Sequence, residues 1–281
     1  MISLQYQAPH NVLTPFVSSF YRFEYQGDMI KELERADRAQ FRVLLHGEGQ
    51  YQFIDGTGCV MFPVTIMGPT TAPMHTIADG PLKIFGWGMT PAGWSALMGK
   101  AAGEWVDKAL DARGIFGDAL NNLQQQLLDA SDVDSQFAIG QAAAAEIFAT
   151  SDTAPFEFKS IVDQWLLGDA EHHIDALATA TGLSPRHLER TTKRYYGMPP
   201  KKLARKYRAV RAAHLLAAGD SLDDTELGLS FYDQSHLIRE IKQFTGLTPT
   251  ELKSGRSILT QATIRERGKL GDSVSPLVSE S

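Results

Sequence analysis

Two stretches of this chain repeat one another at an offset of 49 residues, and the repeat narrows the possible folds sharply. Residues 184–203 (SPRHLERTTKRYYGMPPKKL) align with residues 233–252 (DQSHLIREIKQFTGLTPTEL). His187 matches His236, Leu188 Leu237, Arg190 Arg239, Lys193 Lys242, Gly197 Gly246, Pro200 Pro249 and Leu203 Leu252. Each copy opens on a residue suited to the N-cap, Ser184 or Asp233. Each closes on a glycine suited to the left-handed position after a helix, with proline soon after. The pattern predicts two helices of about three turns, each capped at both ends.

The residues before the first copy complete a helix-turn-helix. In IDALATATGL (174–183), Ile174, Leu177 and Ala178 share the inward face, and small Ala178 allows a close helix crossing. Gly182 follows where a tight turn favours positive φ, and Leu188 closes the small core. Between the copies, Leu203, Tyr207, Val210 and His214 repeat at spacings of three and four. They predict one helix of about 17 residues, roughly 26 Å long. A rod of that length suits two readers entering successive major grooves, about 34 Å apart. Charge agrees. The chain carries −6 overall, yet Arg186 to Arg211 holds ten lysines and arginines against the single acid Glu189. A basic block on an acidic protein is the footprint of a nucleic-acid partner. Within the linking helix Arg205, Lys206, Arg208 and Arg211 are expected to face phosphates or solvent.

In this arrangement the chain resembles the AraC/XylS family of regulators, above all in FYDQSHLIREIKQFTGLTPTEL (231–252). The resemblance covers about 100 residues, from near Phe156 to Arg256. It implies a seven-helix domain that binds double-stranded DNA through two helix-turn-helix units, with the exposed N-terminal part of each second helix toward the bases. Carried onto this sequence, the base-facing residues are Arg186, Glu189 and Arg190 in the first reader, and Gln234, Ser235, His236 and Arg239 in the second. Their chemistry suits base reading, since arginine pairs with guanine O6 and N7, glutamine with adenine N6 and N7, and a carboxylate accepts from cytosine N4. Arg190 and Arg239 equally suit phosphate, or internal pairing with Glu189 and Glu240. Lys193, Arg194, Lys201, Arg205 and Lys242 are expected on phosphates, which position a protein without reading sequence. The second unit departs from the family pattern. Glu226 and Ser230 stand where alanine and glycine are usual, so a charge is expected at a buried site and a serine in a glycine-like conformation. The first unit is therefore expected to contribute more to binding.

The N-terminal half has a different texture. FYRFEY (20–25), FRVLLHG (41–47), YQFID (51–55) and LKIFGWGM (82–89) are aromatic and β-branched, with Gly and Pro between them. Beyond Pro91 the spacing turns helical, and Leu120, Leu123, Leu127 and Leu128 are expected on one face. IMGPTT and IFGWGMTPAGWSALMG resemble the N-terminal domain of a poorly characterised AraC-type branch. That resemblance implies a β-rich effector or dimerisation domain and identifies no ligand. The expected fold is thus α+β with two domains: a β-rich, barrel-like domain with helices over residues 1–152, then an all-α domain over 153–258. A largely disordered tail is expected over 259–281.

The expected function is a sequence-specific DNA-binding transcription regulator, modulated by a small-molecule effector at the N-terminal domain and contacting or blocking RNA polymerase. Two alternatives stand beside it. In one, the N-terminal half only mediates homodimer or partner contacts, with Leu123, Leu127 and Phe137 as the surface. In the other, a repair-type enzyme is fused to the DNA-binding module. That form needs an activated cysteine, and Cys59 lies in an apolar run, CVMF, with no adjacent Pro-Cys-His-type setting to activate it. No catalytic residue, metal or cofactor is expected: Walker, dinucleotide and nucleophile-elbow motifs are missing, and His46, His75 and Glu48 have no ligand-like spacing. The N-terminal residues lack the basic and apolar regions of a signal peptide, and no apolar run is long enough to cross a bilayer. A cytoplasmic location and no membrane partner are expected.

Overall fold

In the computed structural model, described over residues 1–117, 119–151, 156–168, 171–222 and 225–280, the chain forms a sheet-based half and a helical half. Eight strands make one sheet: β1 (Ile2–Gln7), β2 (Val17–Tyr25), β3 (Met29–Glu34), β4 (Gln40–Phe53), β5 (Gly58–Val60), β6 (Val64–Met67), β7 (Met74–Met89) and β8 (Ala109–Asp111). All pairings are antiparallel, in the order β1-β2-β7-β4-β6-β8, with β3 added to β7 and β5 to β4. The expected barrel-like sheet is present but does not close on itself. The two aromatic runs at 41–47 and 51–55 belong to one long strand, β4, which stays paired with β7 through irregularities at 44–48.

Helices α1 (Pro91–Met98), α2 (Arg113–Phe116), α3 (Ala119–Asp129) and α4 (Val133–Phe148) follow β7. α1, α3 and α4 cover one face of the sheet. Phe20, Phe41, Val43, Phe85 and Trp87 from the strands meet Trp94, Leu123, Leu127 and Phe137 from the helices there. Phe41 and Trp87 stack with ring centroids 4.0 Å apart. Leu123, Leu127 and Phe137, expected as a dimer surface, are thus core residues, and each is less than 5% exposed. Leu128, grouped with them by spacing, points away and is 47% exposed. A run of leucines at 120, 123, 127 and 128 spans too wide an arc for one buried stripe.

The helical half comprises α5 (Phe156–Leu167), α6 (Ile174–Thr181), α7 (Pro185–Tyr196), α8 (Pro200–Ala218), α9 (Glu226–Leu229), α10 (Gln234–Thr245) and α11 (Pro249–Lys253). The domain break expected between residues 152 and 153 lies outside the described residues. α12 (Ile258–Gly268) and α13 (Pro276–Ser279) occupy the segment expected to be a disordered tail. The tail folds because it has apolar residues to bury: Leu259, Ala262 and Ile264 in α12, Leu277 and Val278 in α13. Ser257 caps α12 by accepting from Thr260 N. α12 packs on β1 and β3, where Leu259 and Ala262 join the core on the second face of the sheet. The C-terminal helices therefore return to the N-terminal half.

Candidate nucleic-acid interface

Each reader helix is built as the repeat predicts. α7 begins at Ser184, whose hydroxyl accepts from His187 N at 3.4 Å, and ends at Gly197 with φ of 81°. α10 begins at Asp233, whose carboxylate accepts from His236 N at 2.6 Å, and ends at Gly246 with φ of 76°. α8 runs for 19 residues between them, roughly 28 Å.

The two supports differ. The first unit has an eight-residue α6 and a turn at Gly182, where φ is 65°. Leu177 and Leu188 are fully buried in its small core. In the second unit α9 is a single turn of four residues. Ser230 does not take the left-handed backbone expected of it; the positive-φ residues other than glycine, among those described, are Asp107 and His172. The Ser230 hydroxyl donates to the Leu227 carbonyl at 2.6 Å. The expectation for Glu226 concerns a side chain outside the described residues.

Of the seven residues assigned to bases, Arg186, Glu189, Arg190, Gln234, Ser235 and Arg239 are exposed. Glu189 pairs with Lys193 at 2.8 Å, but both ends are open to water, so the pair is weak and exchangeable. Arg239 folds back to the Ser235 carbonyl at 3.3 Å. His236 is occupied within the protein. Its Nδ1 accepts from Tyr232 N at 3.1 Å and its ring packs edge-on to Phe231.

Of the five phosphate candidates, Lys193, Arg194, Lys201 and Lys242 are exposed. Arg205 is committed elsewhere: it crosses from α8 to α10 and grips Glu240 at 2.8 and 2.6 Å and Gln243 at 2.9 Å. Burial alone would raise the Glu240 carboxyl, but Arg205 outweighs it and holds the group below the usual carboxylate range. The other linking-helix cations also depart from the expected solvated face. Arg208 lies over the Phe231 ring and Arg211 pairs with Glu280 at 2.9 Å. Lys206 is buried and turned the other way, donating to the Asp37 carbonyl at 2.6 Å and the Thr70 carbonyl at 2.8 Å. A cation repeating every three or four residues on a helix that packs on both sides cannot stay on one solvated face.

The docking of the two halves is not legible in the repeat. Residues 35–38, between β3 and β4, wedge against α8, α10, α12 and α13. Ala36 N donates to the Phe244 carbonyl at 2.7 Å, and Ala36 packs with Ala209, Val210 and Phe244. Asp37 accepts from Arg267 of α12 at 2.6 Å. Arg38 donates to the Tyr207 hydroxyl and to the Leu277 carbonyl. Burial would raise the Asp37 carboxyl, yet Arg267 and Arg35 beside it hold it well below its ordinary value. Both reader helices are also seated by the glycine that ends them. A Cβ on Gly197 would meet Val106 and Pro69, and one on Gly246 would meet Leu33 and Pro73. The cap glycines thus do two things: they reverse the chain and they let the sheet domain approach. The readers' C-termini are covered by the N-terminal half while their first turns are open to solvent.

Cys59 is half-buried, and burial pushes its thiol up, the opposite of an activated nucleophile. Among the described residues no helix is long and apolar enough to cross a membrane.

Residues 177–255 match the model of a helix-turn-helix domain, and residues 5–111 that of a domain of unknown function. The bifunctional transcriptional activator/DNA repair enzyme Ada of Escherichia coli is 34% identical over 82 residues, which are 29% of this chain and 23% of that protein. The HTH-type transcriptional activator RhaS of Escherichia fergusonii is 31% identical over 88 residues, 31% of this chain and 32% of that protein. The chain thus spans between about a quarter and a third of the length of these relatives. Apo ToxT from Vibrio cholerae aligns over 88% of this chain and 99% of its own, at 10% identity and a TM-score of 0.49.

Proposed function

We propose that the chain is a DNA-binding transcription regulator of the AraC/XylS type, on the strength of its C-terminal helix-turn-helix domain, and that its reading of DNA is controlled from the N-terminal half. α7 and α10 enter successive major grooves of one duplex face, with Arg186 and Gln234 on base edges. Glu189, Arg190, Ser235 and Arg239 add base or phosphate contacts. Lys193, Arg194, Lys201 and Lys242 hold the backbone. His236 shapes the second reader's first turn rather than reading a base. A small effector bound by the N-terminal half changes how often both readers reach DNA together. Bound at a promoter, the protein contacts or blocks RNA polymerase.

One observation carries this reading. Both readers present open, capped first turns while their last turns are clasped by the same sheet domain, so a change in that domain reaches both. The test is selection of bound sequences from a random duplex pool at fixed salt, with wild type beside Arg186→Ala and Gln234→Ala. Two short motifs about one helical turn apart are expected, each relaxed by one of the two variants. Enrichment of a single motif, unaffected by Gln234→Ala, would remove base reading from α10.

A further inference from the structure

The two reader helices expose matching stripes. Positions 185, 186, 189, 190, 193 and 194 of α7 are open to solvent, and so are 234, 235, 238, 239, 242 and 243 of α10, each 49 residues later. The repeat therefore extends to the open face of each helix. On α10 five of these six side chains are polar or charged, and the sixth is Ile238. It stands at the position that Glu189 holds in the first reader. Gln234 lies one turn before it and Lys242 one turn after, each roughly 6 Å along the helix.

Core packing does not account for Ile238. It is 36% exposed and takes no part in the core of Leu222, Phe231, Ile241, Leu247 and Leu252 behind α10, although its neighbour Leu237 packs against that core. A β-branched residue is also a poorer helix former than the glutamine, arginine and lysine around it. In the major groove an apolar surface has one match. Guanine, adenine and cytosine present only hydrogen-bond donors and acceptors there, whereas thymine adds its 5-methyl group. A polar base edge covered by Ile238 would lose its water without gaining a partner.

We propose that Ile238 reads the 5-methyl group of a thymine in the second half-site, at the register where Glu189 works in the first. The inference rests on the reading of α10 given above and adds the base feature that this helix selects. With Gln234 on a base edge and Lys242 on a phosphate, α10 is fixed on both sides of Ile238. The methyl group then falls within about two base pairs of the Gln234 contact. The half-sites differ in kind at matching positions: the carboxylate of the first reader accepts from cytosine N4, and the alkyl group of the second meets a methyl. Such a pair of readers gives the operator a direction. Exchange of the half-sites would set the Glu189 carboxylate against thymine O4, an acceptor facing an acceptor.

The test uses the full chain and duplexes carrying the selected motifs, at fixed salt. Each thymine of the second motif is replaced in turn by deoxyuridine, which removes the methyl group alone. At the sensitive position 5-methylcytosine is then compared with cytosine. Deoxyuridine at one thymine is expected to weaken binding about fourfold, the effect of one methyl group returned to water, and cytosine should bind about fourfold more weakly than 5-methylcytosine. Ile238→Ser should bring both ratios close to one, with an unchanged Tm and unchanged binding to the first motif. Leu229→Ser removes a more exposed apolar residue that lies off the α10 stripe, and it should leave both ratios as in wild type. A second motif without a methyl-sensitive thymine, or with a sensitivity that survives Ile238→Ser, would overturn the role of Ile238 and leave the two-reader reading standing. Selection of no second motif would sink both.

Discussion

The two helix-turn-helix units reach the same reader geometry by different support. In the first, α6 has eight residues, Gly182 makes the turn, and Leu177 and Leu188 fill a core that Leu277 of α13 also joins. The second has one turn of α9 and no left-handed turn glycine, and its core of Leu222, Phe231, Ile241, Leu247 and Leu252 is tied further to α8 and the sheet domain. Arg205 of α8 holds Glu240, Phe231 packs under Arg208, and Ala36 of the sheet domain holds Phe244. The departure at Ser230 therefore does not predict a distorted reader. It goes with a reader held by α8 and the sheet domain as well as by its own core.

That difference is open to attack in order of expected effect. Phe244→Ala removes a fully buried ring from the contact with Ala36, Ala209 and Val210 and should cost about 3–5 kcal/mol in denaturant unfolding. Its effect on DNA selection should fall first on the second motif; loss of both motifs together would erase the distinction. Lys206→Met tests the joint common to both units through pH. Burial pushes this ammonium down to about 7, so above that pH the folded state holds fewer protons than the unfolded one. Wild-type stability should therefore gain on Lys206→Met by about 2 kcal/mol between pH 7 and pH 9. A parallel pair of stability-versus-pH curves would mean that the lysine is not buried as described.

Smaller changes separate the units more finely. Arg205→Ala leaves Glu240 buried without its partner and should cost about 1–2 kcal/mol, moderated by the exposure of the guanidinium. Motif selection by this variant should weaken on the Gln234 side, whereas a uniform loss would return Arg205 to phosphate binding. At the turns, Gly182→Ala has open space around it but a positive φ, so strain alone should cost about 1–2 kcal/mol. Ser230→Gly should destabilise by about 0.5–1 kcal/mol, from added chain entropy and a lost hydroxyl bond. Stabilisation by Ser230→Gly would show that a left-handed residue is wanted there after all.

How far the sequence reveals these features follows from which interactions are local. Caps, turns and the linking helix are legible because Ser184, Asp233, Gly197 and Gly246 act on their own backbone within a few residues. The exposed first turns are legible for the same reason. Lys206, Arg205 and His236 depart from their expected places because their partners, Asp37, Glu240 and Tyr232, are chosen by packing and not by residue type. Leu123, Leu127 and Phe137 show the same limit, since an apolar helix face does not say what it covers. The folded tail carries a helix signal in Ser257 and the apolar positions 259, 262 and 264. The polar segment beyond them masks it, because a signal that short is decided by the sheet face it lands on.

The ion pair between Asp37 and Arg267 joins residues separated by 230 positions in the chain. At about 5–20 residues per second, synthesis brings the arginine out roughly 10–50 seconds after the aspartate. During that interval the sheet has already emerged, but the second of its apolar faces still lacks Leu259 and Ala262, and Asp37 lacks its strongest counter-charge. The sheet domain therefore emerges with one flank uncovered, and the helices that close it are made after both DNA readers. The last side chains needed to cover the sheet half are thus synthesised only after the DNA-binding helices.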